Sequence, residues 1–409
     1  MRKGLLIIIA ALLAASLVSG CTSSRNFNSS LKIIVRPYNF SIFKWELNAV
    51  FEEVRQLVAG NSTAGDSGIS EVLDYFSTGE EIRNKKAAID AVNSGSQDGD
   101  PALLETELRE LEAQRQALEG TAEQVIRRQV REILSQQGIF HPLDKYVGLK
   151  VGFPPLNFQL GKPPHLLVVS PRDRIESIRE ILLLQDISVE EMESIEFGID
   201  EMEVSSLVEE LGGFGGTYPA FVTNEASLRF IIDTATEEWL HQYLAFTPLG
   251  FRYLLDLVGI SRDYEIATIN ETVAGMVSKE IGAMVYEQYY SGNGNKEAQP
   301  QVTESGFDFN REMRDIRRAV DRYLAQGEIE QAEEFMEQKR QYLASQGYYI
   351  RKLNQAYFAF HGTYADKPTS ISPIGEELKE LRAQSASIKD FLETVVVMTS
   401  RQDLRNSLN

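Results

Sequence analysis

Between Ala226 and Phe246 apolar residues recur at the steps of a buried helix, yet the middle of the run carries Glu237, Glu238 and His241. Charged groups in an apolar helix need partners, because taking them out of water is costly. Residues four apart share a helix face, so Glu237 and His241 point the same way. Glu238 lies between them, turned away by about 100°. Ile231, Ile232, Trp239, Leu240 and Leu244 surround them and argue against a freely solvated surface. Whatever fold forms must bring something to this helix that tolerates two carboxylates and an imidazole.

Charge narrows the choice of partner. The net charge of −19 makes the chain a poor nucleic-acid ligand, because neutralising phosphates needs a basic surface. One cysteine excludes an internal disulfide framework and a multi-cysteine zinc site. That cysteine ends an N-terminal pattern: basic Arg2 and Lys3, an apolar run from Gly4 to Val18, then Leu17-Val-Ser-Gly-Cys21. The run is short against the ~20 residues that span a bilayer. The pattern resembles the lipobox of bacterial lipoproteins. The resemblance implies that residues 1–20 are a signal peptide, that Cys21 is lipidated, and that the protein is extracytoplasmic and anchored to the cell membrane.

After the cysteine, residues 21–43 are expected to be a polar tether, Thr22 to Ser30, and an extended segment. Residues 44–140 form a helical region, with an amphipathic helix over 44–58 and a long hairpin from Ile69 to Leu134, broken at 93–101 by Gly, Ser, Asp and Pro. On the returning arm Leu104, Leu108, Leu111, Leu118, Ala122 and Val125 alternate four- and three-residue steps, with Arg115 in the missing place, as in a coiled-coil seam. The hairpin is expected to project from the body. Residues 141–223 are expected to hold a small sheet: strands over 149–153, 156–160 and 165–170, a short helix over 174–184, a flexible glycine turn over 211–217, and an edge strand at 218–222. His141 and His165 there are structural. Residues 224–409 are helical almost throughout, with a linker over 292–306, a hairpin around Gln326-Gly327 and a helix over 348–364. The fold class is mainly α with a small β-sheet, an α+β arrangement.

Glu237-Glu238-x-x-His241 has the layout of His-Glu-x-x-His, with glutamate in the first histidine's place. Asn270-Glu-Thr-Val-Ala274 follows at the start of the next long helix, where Asn270 could equally serve as an N-cap. Lys352-Leu-Asn-Gln-Ala-Tyr-Phe-Ala-Phe-His-Gly-Thr-Tyr364 comes third. In this order the segments resemble a family of bacterial predicted aminopeptidases related to the gluzincin metallopeptidases. The resemblance implies a zincin-like helical domain over 224–409. It also implies Glu237, His241 and Glu271 as ligands of a divalent metal, zinc first, and Glu238 as general base. His361 and Tyr364 are candidate oxyanion donors, although core or hydrogen-bonded structural roles suit both better. The function expected is hydrolysis of a peptide substrate by metal-activated water. With glutamate in the first ligand position, the alternative is an inactive pseudo-peptidase that binds a protein partner as a scaffold. A helical envelope protein with no such ancestry is a third reading.

Overall fold

The computed structural model describes residues 22–40, 68–142, 152–257, 259–291 and 307–408. The signal peptide, Cys21, the helix over 44–58, most of the strand over 149–153 and the linker over 292–306 lie outside them. The architecture is mainly α with two three-stranded sheets rather than one.

The first element is a correction. Thr22–Val35 is a helix, α1, not a tether followed by an extended segment. Its composition is polar, but Phe27, Leu31, Ile34 and Val35 share one side and pack into an apolar cluster. The helix therefore owes its existence to tertiary packing rather than to propensity.

The hairpin forms as expected from α2 (Gly68–Asn93) and α3 (Pro101–Gln136), with Asp100 capping α3. Its tip is exposed, but its inner half does not project. Ala122, Val125, Ile126, Val130 and Ile133 join the same core as the helices after residue 224. Arg115 covers the Tyr75 ring at 4.6 Å, which explains a cation in an otherwise apolar seam. Glu123 accepts a hydrogen bond from the backbone N–H of Leu160 at 2.8 Å, tying α3 to the following sheet region.

One sheet has the order β3 (Arg179–Leu183), β2 (His165–Pro171), β4 (Val204–Glu210), antiparallel throughout. Residues 174–184 thus contain a strand where a helix is expected. Arg, Glu and Leu favour helix, but pairing with the buried β2 overrides that preference. Successive residues of β2 face opposite sides. Leu167 and Val169 meet α1 and α4 (Val189–Asp200), whereas Leu166 and Val168 meet α10 (Gln355–His361).

The other sheet has the order β1 (Phe158–Gly161), β6 (Ala220–Thr223), β5 (Gly213–Phe214). β6 is its central strand, not an edge. Pro219 precedes the paired residues, so its missing N–H costs no ladder bond.

Four further helices position the site. α5 (Leu228–Leu244) leads into α6 (Pro248–Leu257), and α7 (Tyr264–Tyr289) runs through the core, buried almost continuously from Ile266 to Ser278. His241 meets Glu271, Glu237 lies over Gly275, and Asp233 lies over Gly282. That ladder makes α5 and α7 antiparallel, and Gly282 lets Asp233 approach where a Cβ would collide with it. α8 (Phe309–Ala325) and α9 (Ile329–Ser345) form the second hairpin.

The helix expected over 348–364 is confined to α10. Arg351 forks onto the buried Glu196 at 2.6 and 2.9 Å, and Lys352 pairs with Asp200 at 2.8 Å. Asn354 caps α10 and donates to Ser206 O at 2.8 Å. The Lys-Leu-Asn-Gln segment therefore clamps α10 to the β3-β2-β4 sheet. α11 (Ile374–Gln384), α12 (Ile388–Val395) and α13 (Arg401–Ser407) close the core.

Candidate metal centre

α5 begins at Ser227, whose hydroxyl accepts from Phe230 N at 3.3 Å, and buries Ile231, Ile232, Trp239, Leu240 and Leu244. That burial fixes the rotation of the helix, and the rotation turns Glu237 and His241 toward α7. Ligand-type atoms of Glu237, His241 and Glu271 then lie within 4.8 Å of one another. His241 Nε2 stands 3.6 Å from Glu271 Oε2.

The other imidazole nitrogen is also held. His241 Nδ1 lies 3.3 Å from Asn270 Oδ1, and Asn270 is fully buried. A proton on Nδ1 donates to that oxygen and leaves the Nε2 lone pair facing the cluster. Asn270 is therefore not a helix cap: α7 is capped nearly two turns earlier, with Asp263 accepting from Ile266 N at 3.1 Å.

Two tyrosines complete the site. Tyr253 on α6 donates a short hydrogen bond to Glu271, a role that sequence reading missed. Its spacing from the motif carries no helical or strand periodicity that points to it. Tyr364 lines the same cavity. Burial raises both phenols well above the usual tyrosine range, with Glu271 adding in each case, so both remain hydroxyl donors.

His361 is not brought to the site. Its Nε2 sits 3.3 Å from Glu209 and its ring lies against Tyr357, outside the cavity lining. A single step of about 100° along α10 separates Phe360, which does face the cavity, from a histidine that packs toward β4. His141 and His165 are structural: one stacks on Phe153, the other has Nδ1 2.8 Å from Leu184 O.

Glu238 faces a different neighbour. The Leu211–Thr217 glycine segment is not a loose turn but carries β5, pressed against α5. The Gly215 N–H donates to the Glu238 carboxylate, and Gln242 donates to Gly215 O and Thr217 O at 3.1 and 3.0 Å. A Cβ at Gly213 would collide with the Glu238 carboxylate. The glycine spacing was the available signal, since glycines mark close approach of backbone to another group.

Burial pushes the Glu238 carboxyl up to about 8, with His241 opposing and Glu237 and Glu271 adding. Burial also raises Glu237, against the pull of His241. Burial disfavours a charged imidazole, but Glu271, Glu238 and Glu237 outweigh it and hold His241 above its usual range. Carboxylates buried and crowded in this way favour a proton or a cation among them. A divalent ion fits the donor set: two carboxylates and one imidazole within reach of one point.

His241, Glu271 and Glu238 line a cavity of about 840 Å³, and Glu237 lies outside its lining. Family models, curated proteins and solved structures offer no match to this chain.

Proposed function

We propose that this chain is an extracytoplasmic, lipid-anchored metallopeptidase-like protein, with an aminopeptidase-type reaction as the first activity to test. The observation that carries the reading is the convergence of Glu237, His241 and Glu271 beside a cavity, with Glu238 held next to them. Those three side chains would hold a divalent cation, and zinc is the first ion to test because it accepts both imidazole and carboxylate. Such an ion supplies Lewis acidity toward a carbonyl oxygen and acidifies water.

The chain's own groups do the rest. Glu238, poised near neutrality, takes a proton from the attacking water and returns it to the departing amine. Tyr364 keeps its proton and offers it as a hydrogen bond to the developing oxyanion. Asn270 and Tyr253 hold His241 and Glu271 in place. Among the described residues the outer edge of β5 pairs with no strand, and Gly213 and Gly215 lie against Glu238, which suits an extended peptide backbone.

Glu237 favours a second reading. A carboxylate in the first ligand position makes the site harder and more anionic than one with two imidazoles, and a pseudo-peptidase that binds without cutting follows if the ion is lost. Incubating purified protein with zinc, manganese and a peptide mixture, and detecting new termini by mass spectrometry, separates the two. Cleavage that disappears in Glu238→Gln supports the enzyme; absence of cleavage with every ion supports the binding protein. The anchor is tested separately: Cys21→Ser should release the protein from the membrane fraction. Among the described residues no helix is long and apolar enough to cross a membrane.

A further inference from the structure

The cavity beside the cluster has a composition that selects among peptides. Leu166 and Leu182 are in register on neighbouring strands β2 and β3 and form one wall. Phe214 of β5 and Leu254 of α6 form others. At the lining, Tyr218, Phe246, Leu257 and Tyr264 remain 38, 43, 44 and 45% exposed. Large apolar side chains left in water around a concave apolar wall mark a surface that is covered when the site is in use.

The charged groups in the lining are nearly all of one sign. Outside the cluster itself, the lining sets Glu176, Glu180 and Asp256 against Arg262. Glu180 is two residues from Leu182 on β3, so charge and apolar wall lie on the same face of one strand. Its carboxylate is oriented by the Ser177 hydroxyl at 2.7 Å. An acidic side chain entering here would lose solvent and meet like charge, which is how a site rejects a competitor.

We propose that the cavity takes a peptide segment carrying large aliphatic or aromatic side chains and rejects acidic ones, with the Leu166–Leu182 wall supplying the attraction and Glu180 the rejection. The peptide class rests on the functional reading above; the selection among peptides rests on the lining. The edge of β5, unpaired with any strand among the described residues, favours a peptide over another apolar ligand, because it offers backbone hydrogen bonds.

The test uses the full mature chain as Glu238→Gln, loaded with zinc, and three rhodamine-labelled octapeptides differing only in a central Leu-Phe, Ser-Ser or Glu-Asp pair. Fluorescence anisotropy reads binding. The Leu-Phe peptide is expected to bind about tenfold tighter than Ser-Ser, and Glu-Asp weaker than either. Leu257→Glu should remove most of the Leu-Phe advantage. Glu180→Lys should improve Glu-Asp binding by about tenfold relative to Ser-Ser, a gain that misfolding does not produce. Equal binding of the three peptides, or no gain in Glu180→Lys, overturns the proposal. Cleavage of proteins by the wild type without such a preference would sink the selectivity and leave the peptidase standing. Apolar selection in a protein that never cleaves would do the reverse.

Discussion

A Cβ at Gly215 would stand 2.7 Å from Glu238 Oε2 and 2.9 Å from Glu238 O, so β5 reaches the motif helix only because this residue has no side chain. Gly215→Ala must push the glycine segment or the carboxylate aside. The expected cost is about 1–3 kcal/mol of stability, the range for overpacking a filled interior, together with loss of any hydrolysis. Gly120 on α3 is the control: it is exposed with nothing within 4 Å, so Gly120→Ala should stabilise by about 0.5–1 kcal/mol. Urea denaturation of both variants measures the difference.

Asn270 acts on the cluster through His241. Asn270→Ala removes the acceptor for the Nδ1 proton and frees the ring to rotate. Metal affinity should fall about 10–100-fold, the usual effect of losing such a partner. Asn270→Asp keeps an acceptor and should restore most of the affinity. Competition with a chromogenic chelator measures it, and thermal unfolding followed by circular dichroism checks that both variants fold. Equal affinities in wild type and Asn270→Ala would show that the ring is held by other means.

Away from the site, Glu123 makes stability depend on pH. Burial raises its carboxyl to about 7, with the Leu160 N–H and Arg127 opposing. The folded chain therefore holds a proton there that the unfolded chain releases near its usual pKa. Between these values the folded state binds more protons, so its stability falls as pH rises through that window. The penalty is about 3 kcal/mol when the window has been crossed. Glu123→Gln keeps an oxygen for the Leu160 N–H and should flatten the fall between pH 5 and 7, read as denaturation midpoints at each pH.

Periodicity made most of the helices legible. The motif helix and the α2–α3 hairpin both carry repeating apolar positions, and Glu271 could be named because the resemblance to the gluzincins implies a glutamate ligand on the following helix. Three things were not legible. The 174–184 segment has helical residues but a strand's neighbours, and only β2 decides it. α1 looks polar until Phe27 and Leu31 find their partners on α4. Tyr253 joins Glu271 through the turn between two helices, a geometry that no local pattern encodes. His361 failed for the opposite reason: its neighbours in sequence face the cavity, but its own position on α10 turns it toward Glu209.

The central claim is that Glu237, His241 and Glu271 hold one divalent cation. Isothermal titration of the metal-stripped mature chain with zinc tests it most directly, with Glu237→His, His241→Ala and Glu271→Ala in parallel. One ion per chain is predicted for the wild type, tighter binding for Glu237→His, and loss of the site in each alanine variant. No binding by the wild type, or binding that survives both alanine substitutions, would contradict it.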